Sequence, residues 1–273
     1  MAHLFAMTDT ILHLGLLDDD AIALDLAALD LAALDHPGID LAPYADLLEA
    51  MAEHLVAERA AESAAAHAGA LARVIAGEFG FVGDTDSYDD PANADLIRVI
   101  DRRRGLPVSL SILYVAMARR LGWQADALNT PAHVLVRIGT DADHVIVDPF
   151  NGGAIVEPRQ IAALLVQARG SGPASEHLAP MANRSVLVRL LLNQATRAEQ
   201  GGDKARALTL FERITAVAPA NGHGWWERAR LELTQGAIGA ARASLSAMLE
   251  MTREPALRAQ ISAALARLAG SVL

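Results

Sequence analysis

The segment "HVLVRIGTDADHVIVDPFNGG", residues 133–153, decides how the chain folds, because it reads as a β-hairpin with chemistry at both ends. Two short β-branched runs flank the polar tip Gly139-Thr140-Asp141-Ala142-Asp143, a pattern that signals paired antiparallel strands. A turn centred between Thr140 and Asp141 sets His133 directly opposite Asp148. Partners across such a pair have Cβ atoms about 5 Å apart, close enough for a carboxylate to orient an imidazole. That is two-thirds of a nucleophile–histidine–aspartate triad, so a nucleophile, if the chain has one, lies elsewhere.

Cysteine does not supply it, because the 273 residues contain none. Disulfides, thiolate zinc sites and cysteine nucleophiles are thereby excluded. The nine histidines are scattered without an H-E-x-x-H pattern, so no zinc hydrolase is expected, and neither is any other metal or cofactor. There is no G-x-S-x-G elbow and no phosphate-cradling glycine loop. Alanine and leucine dominate a composition that is 52% hydrophobic, which predicts a mainly helical chain. No transmembrane run and no basic leader are read, so a cytoplasmic protein is expected. The net charge of −10 is unevenly spread: residues 1–100 hold 19 acids against 3 arginines, while residues 184–273 hold 12 bases against 7 acids. The asymmetry reads first as a solvated acidic surface on the N-terminal helices, and otherwise as a surface that steers a basic partner or leans on the chain's own basic tail, while phosphate repulsion disfavours nucleic acid.

Residues 19–35, "DDAIALDLAALDLAALD", predict a helix whose aspartates sit on its rim, stopped by His36-Pro37-Gly38. Further helices are expected from about Pro43 to Val56 and through the alanine-rich stretch to about Gly77. Asp84, Asp86 and Asp95 echo a calcium loop superficially, but Tyr88 and Asp89 stand where that loop needs an oxygen ligand and a glycine. Turn and cap chemistry by Asp89, Asp90, Pro91 and Asn93 accounts for them. Arg102, Arg103 and Arg104 have enough aspartates nearby to be ordinary ion-pair partners. "GLPVSLSILYVAMARRLGW" predicts a helix that begins at Pro107 and Ser109, with Ser109 as its N-cap, and closes at Arg119-Arg120 and Gly122. A strand near residues 124–128 leads into the hairpin. A helix followed by antiparallel strands bearing His and Asp is the order of papain-like and transglutaminase-like folds, whose nucleophile sits at the helix N-terminus. Residues 169–184 read as a linker, and Asn151-Gly152-Gly153 as a turn. Beyond the linker a repeat emerges: Ala195, Ala229 and Ala263 are 34 apart, as are Gly202, Gly236 and Gly270, while Ala207 matches Ala241 and Phe211 matches Leu245. That is the tetratricopeptide period.

The stretch "GFVGDTDSYDDPANADLIRVIDRRRGLPVSLSILYVAMARRLGW", with "TPAHVLVR" and "VDPFNGG", resembles the bacterial SirB family over about residues 20–270. The resemblance implies an α+β fold: a transglutaminase-like (papain-like) core with N-terminal helices over residues 1–183, then an α-helical tetratricopeptide segment over 184–273. It implies a Cys-His-Asp triad, of which His133 and Asp148 match the last two members. Where the cysteine belongs, the chain offers Pro107, Val108, Ser109, Leu110 and Ser111. Three readings follow: a degenerate site that retains His133 and Asp148 for structure or ligand binding; a serine peptidase or acyltransferase using Ser109 (or Ser111), His133 and Asp148; and an adaptor that works through its repeats. The expectation is a protein-interaction or regulatory protein with a protein or peptide partner, no nucleic acid and no membrane.

Overall fold

One helix organises the first half of the chain in the computed structural model, which describes residues 11–130, 133–167 and 178–270. In that helix, α5 (Pro107–Arg120), every residue from Pro107 to Ala118 is buried. Pro107 fits the first turn because no helical bond needs its missing N–H, and Gly122 leaves the helix at φ +75. The N-cap is Leu106, which makes no side-chain cap bond, so the expected cap by Ser109 is corrected: Ser109 lies inside the first turn.

Around α5 stand α1 (Leu24–Ala33), α2 (Ala42–Ala57), α3 (Ala64–Leu71, continued by a π-helical turn Ala72–Glu78) and α4 (Leu96–Arg102). The single helix predicted over residues 19–35 is in fact a 3₁₀ turn, Asp19–Ala21, an extended step and then α1. Nor do its aspartates all lie on a rim. Asp25 is 2% exposed and bonds Arg120 at 2.7 Å, because a carboxylate can be buried where a guanidinium meets it. Asp19 accepts from the main-chain N–H groups of Asn183 and Arg184 and so caps α7 (Asn183–Gln200).

The sheet has the order β3-β4-β5-β6, all antiparallel: β3 (Ala125–Leu128), β4 (Leu135–Gly139), β5 (His144–Asp148) and β6 (Ala154–Ile155). A separate two-residue parallel pair joins β1 (Val82–Gly83) to β2 (Arg104–Gly105). The hairpin register is two residues away from the predicted one. Val136 faces Val147 and Gly139 faces His144, so Thr140–Asp143 form the loop and His133 precedes β4 instead of facing Asp148. A two-residue slip keeps each side chain on its face, which is why the pairing of functional groups survives it. The loop's Asp143 also accepts from Ala64 N at the start of α3.

After β6 comes α6 (Pro158–Gln167). Residues 169–177 of the predicted linker lie outside the described residues. By contacts the chain forms two compact units: residues 18–187, and residues 188–273 together with the described residues up to Leu17. The second unit is helical: most of α7, then α8 (Lys204–Val217), α9 (Gly222–Thr234), α10 (Ile238–Met251) and α11 (Pro255–Gly270), with residues 11–16 also helical. Gly15 lies against α8's end, where a Cβ would come within 2.2 Å of the Ala216 carbonyl oxygen. Gly202 and Gly236 make equivalent left-handed turns at φ +81 and +75, whereas Gly270 ends a helix. Ala195, Ala207, Ala229 and Ala241 are all buried, but Ala263 is exposed and its neighbour Ala264 is buried instead. No helix among the described residues is long and apolar enough to cross a membrane.

Candidate functional site

The end of β5 and the approach to β4 bring the two predicted residues together. His133 Nε2 lies 2.7 Å from Asp148 Oδ1. Asp148 does more than hold the ring. Its Oδ1 also accepts from the main-chain N–H groups of Phe150 and Asn151, and its Oδ2 accepts from the Asn151 side-chain amide. It thereby caps the 3₁₀ turn Pro149–Asn151. Burial pushes the Asp148 carboxyl up, but the His133 bond and charge, then both groups of Asn151, outweigh it and hold the pKa below the ordinary carboxylate value. An ionised Asp148 fixes the direction of the bond: Nε2 donates, and in the neutral ring Nδ1 keeps its lone pair for other work.

His133 is also held by its neighbours. The Phe150 ring meets it edge-on with centroids 5.8 Å apart and meets Tyr88 at 5.7 Å. Gly83 of β1 allows that arrangement, because a Cβ there would lie 2.5 Å from the Phe150 ring. The loop that carries Tyr88 is tied down by Asp84. Its carboxylate accepts from Asp86 N and Ser87 N and pairs with Arg102 at 2.7 Å, while Arg102 also donates to buried Asn93. The aspartates of this loop thus act in turns and pairs: Asp90 caps the turn Pro91–Ala94, and Asp95 caps α4 and bonds His36. Arg103 stacks over Phe81, and Arg104 donates to the carbonyls of Gly80 and Arg103.

Ser109 is not brought to His133 by any hydrogen bond. Its hydroxyl, with one proton to give, lies 2.7 Å from the carbonyl oxygen of Asn93 and 3.0 Å from that of Leu106, and the residue is fully buried. Ser111, equally buried, lies against the carbonyls of Pro107 (2.7 Å) and Val134 (3.2 Å). A serine nucleophile needs its proton delivered to the base, and here each proton is directed to the main chain. Tyr114 on the same helix has a buried hydroxyl without a bond among the described residues, beneath Gly153. Burial first, then the negative charge of Asp148, raise its pKa, so it stays neutral and is no base.

Beside the pair opens a cleft of about 450 Å³ whose lining includes His133, Asp148, Asn151 and Gln160, with Leu135 and Ile155 among its apolar groups. Neither Ser109 nor Ser111 lines it. Asn151 and Gln160 are the site groups that sequence reading passed over. Asn151 had a signal, since an Asp three residues before it across a proline is a turn-capping arrangement. Gln160 had none, because only α6 brings it to the cleft.

A family model described as the transglutaminase-like superfamily matches residues 42–192, which contain α5, the whole sheet and the His133–Asp148 pair. The chain belongs to the transglutaminase-like superfamily. This transglutaminase-like chain is 30% identical over 244 residues to a UPF0162 protein of Xylella fastidiosa, covering 87% of each. It is 30% identical over 196 residues to the UPF0162 protein PA3419 of Pseudomonas aeruginosa, covering 70% of this chain and 71% of that one. It is also 33% identical over 82 residues to human F-box only protein 21, covering 30% of this chain and 13% of that protein. No solved structure matches it.

Proposed function

We propose that this transglutaminase-like protein binds a protein partner and does no acyl chemistry, as a cytoplasmic member of the SirB family. The observation that carries the reading is the commitment of both candidate hydroxyls. Ser109 and Ser111 are buried and bonded to main-chain carbonyls, while His133 and Asp148 stay paired at a cleft that, among the described residues, is lined by no hydroxyl, thiol or amine side chain. A base and its orienter without a nucleophile are suited to holding a hydrogen-bonding ligand. In the same reading α7–α11 are tetratricopeptide repeats that present a second surface to a protein. Support for that comes from the matched glycine turns and buried alanines 34 residues apart.

The test is labelling of the purified protein with a fluorophosphonate probe, read by intact mass. We expect no adduct. The intact His133–Asp148 bond favours the rival reading, a serine peptidase or acyltransferase. Stoichiometric labelling that is lost in Ser109→Ala and weakened in His133→Ala would establish that rival.

A further inference from the structure

The sheet ends at β6, and no described residue pairs with its outer side. The ladder fixes which groups face outward. Val147 directs its main-chain groups toward β4, where it pairs with Val136, and Val156 N donates to Ile146 O at 2.8 Å. Ile155, opposite Val147, therefore turns its N–H and C=O away from β5 toward the open edge. Exposed edges usually carry charged side chains that deter pairing. Here Ala154 and Ile155 are both exposed, Ile155 to 49%, and neither is charged.

The cleft reaches this edge strand, and Ala154, Ile155 and Val156 all line it. Its polar groups have bonding capacity left. Gln160 Oε1 accepts from Glu157 N, which leaves its amide N–H groups for a ligand, and the Asn151 amide donates to Asp148, which leaves its oxygen. An extended backbone running beside β6 would meet an open donor and acceptor at Ile155 and place alternate side chains over the cleft. Charge selects the kind of segment. Residues 18–187 hold 25 acids against 12 bases, a net of −13, so a basic segment is steered toward this unit and an acidic one repelled.

We propose that β6 and the His133 cleft form a strand-addition site for an extended, basic segment of a partner protein. The proposal rests on the binding reading above and names the partner's chemistry for that site. The test uses the full-length, isotope-labelled protein and a short fluorescent peptide of alternating Lys and Val. Two controls accompany it: the same peptide with a methylated backbone, and a version with Glu in place of Lys. We expect saturable binding, amide shifts centred on Ile155 and Val156, and about tenfold weaker binding for each control. Ile155→Pro removes the outward N–H, a change that edge strands tolerate, and should weaken binding similarly without lowering the melting midpoint. Should that variant misfold, Ile155→Lys places a repelling charge on the same edge and should weaken binding of the basic peptide. Absence of saturable binding, shifts confined to other surfaces, or affinity indifferent to backbone methylation would overturn the proposal. Mass spectrometry of the recovered peptide separates the two readings. Cleavage together with shifts at Ile155 would sink the non-catalytic reading and support the site.

Discussion

Asp148 is the residue on which the site turns, because one carboxylate accepts from His133, from two main-chain N–H groups and from the Asn151 amide. A carboxyl whose folded pKa is depressed contributes stability that is present above its unfolded pKa of about 3.9 and is lost as pH falls through the folded value. Asn151→Ala removes one of the donors. The carbon-13 titration midpoint of Asp148 should then move up toward the ordinary value, and urea denaturation at pH 7 should show a loss of about 1 kcal/mol. The loss should shrink as pH falls through the native midpoint, where both proteins carry a protonated carboxyl. An unmoved midpoint would mean that the Asn151 amide does not help hold the charge. Of this network His133 and Asp148 were legible in the sequence, through hairpin patterning. The bond between them required the fold, because His133 lies outside β4 and reaches Asp148 by side-chain geometry and not by strand register.

At the scale of elements, β1 and the turn after β5 set each other's position. The Phe150 ring occupies the space a side chain on Gly83 would need, and its edge rests against His133. Gly83→Ala must push the ring away, an overpacking that should cost about 1–3 kcal/mol in urea denaturation. It should also shift the His133 ring signals in proton–carbon spectra. Wild-type stability together with unmoved signals would show that the ring has room to spare. The helix α5 shows how an element can be predicted correctly for a partly wrong reason. Its start, its end and its apolar run follow from Pro107, Gly122 and the hydrophobic pattern, but Ser109 is not the cap. Its hydroxyl turns to the Asn93 carbonyl from another part of the chain, a partner that no local pattern indicates.

At the scale of the molecule, the helical unit tests how far a repeat in sequence becomes a repeat in packing. Ala229 is 2% exposed and shares a core with Ala241, Leu245, Met248 and Ile261, and Trp225 packs against it. Trp225 is itself anchored by its indole N–H on Pro219 O at 2.7 Å. Ala229→Leu overpacks this crossing and should cost about 1–3 kcal/mol by chemical denaturation. Ala263→Leu, one period later but exposed, should change stability by less than about 0.5 kcal/mol. Equal costs would mean that the third helix buries the position the period indicates. The period breaks there because α11 presents Ile261 and Ala264 to the core in place of Ala263. Nothing in the alanine-rich local sequence distinguishes those faces.

What the sequence by itself determined about this protein is whatever depends on residue type and short spacing. The absence of cysteine excludes the superfamily's usual nucleophile. Two short β-branched runs around a polar tip predict the hairpin, proline and glycine bound α5, and glycines 34 apart mark two of the helical turns. Tertiary structure alone decided the matters that depend on which distant groups meet. It buried Asp25 against Arg120, shifted the hairpin register by two residues, directed the Ser109 hydroxyl to Asn93, and left the outer edge of β6 without a partner strand among the described residues. The physical reason is the same in each case. A local pattern fixes which face of an element is apolar, but hydrogen-bonding groups must find partners wherever the packed chain supplies them, and that supply is a property of the whole fold.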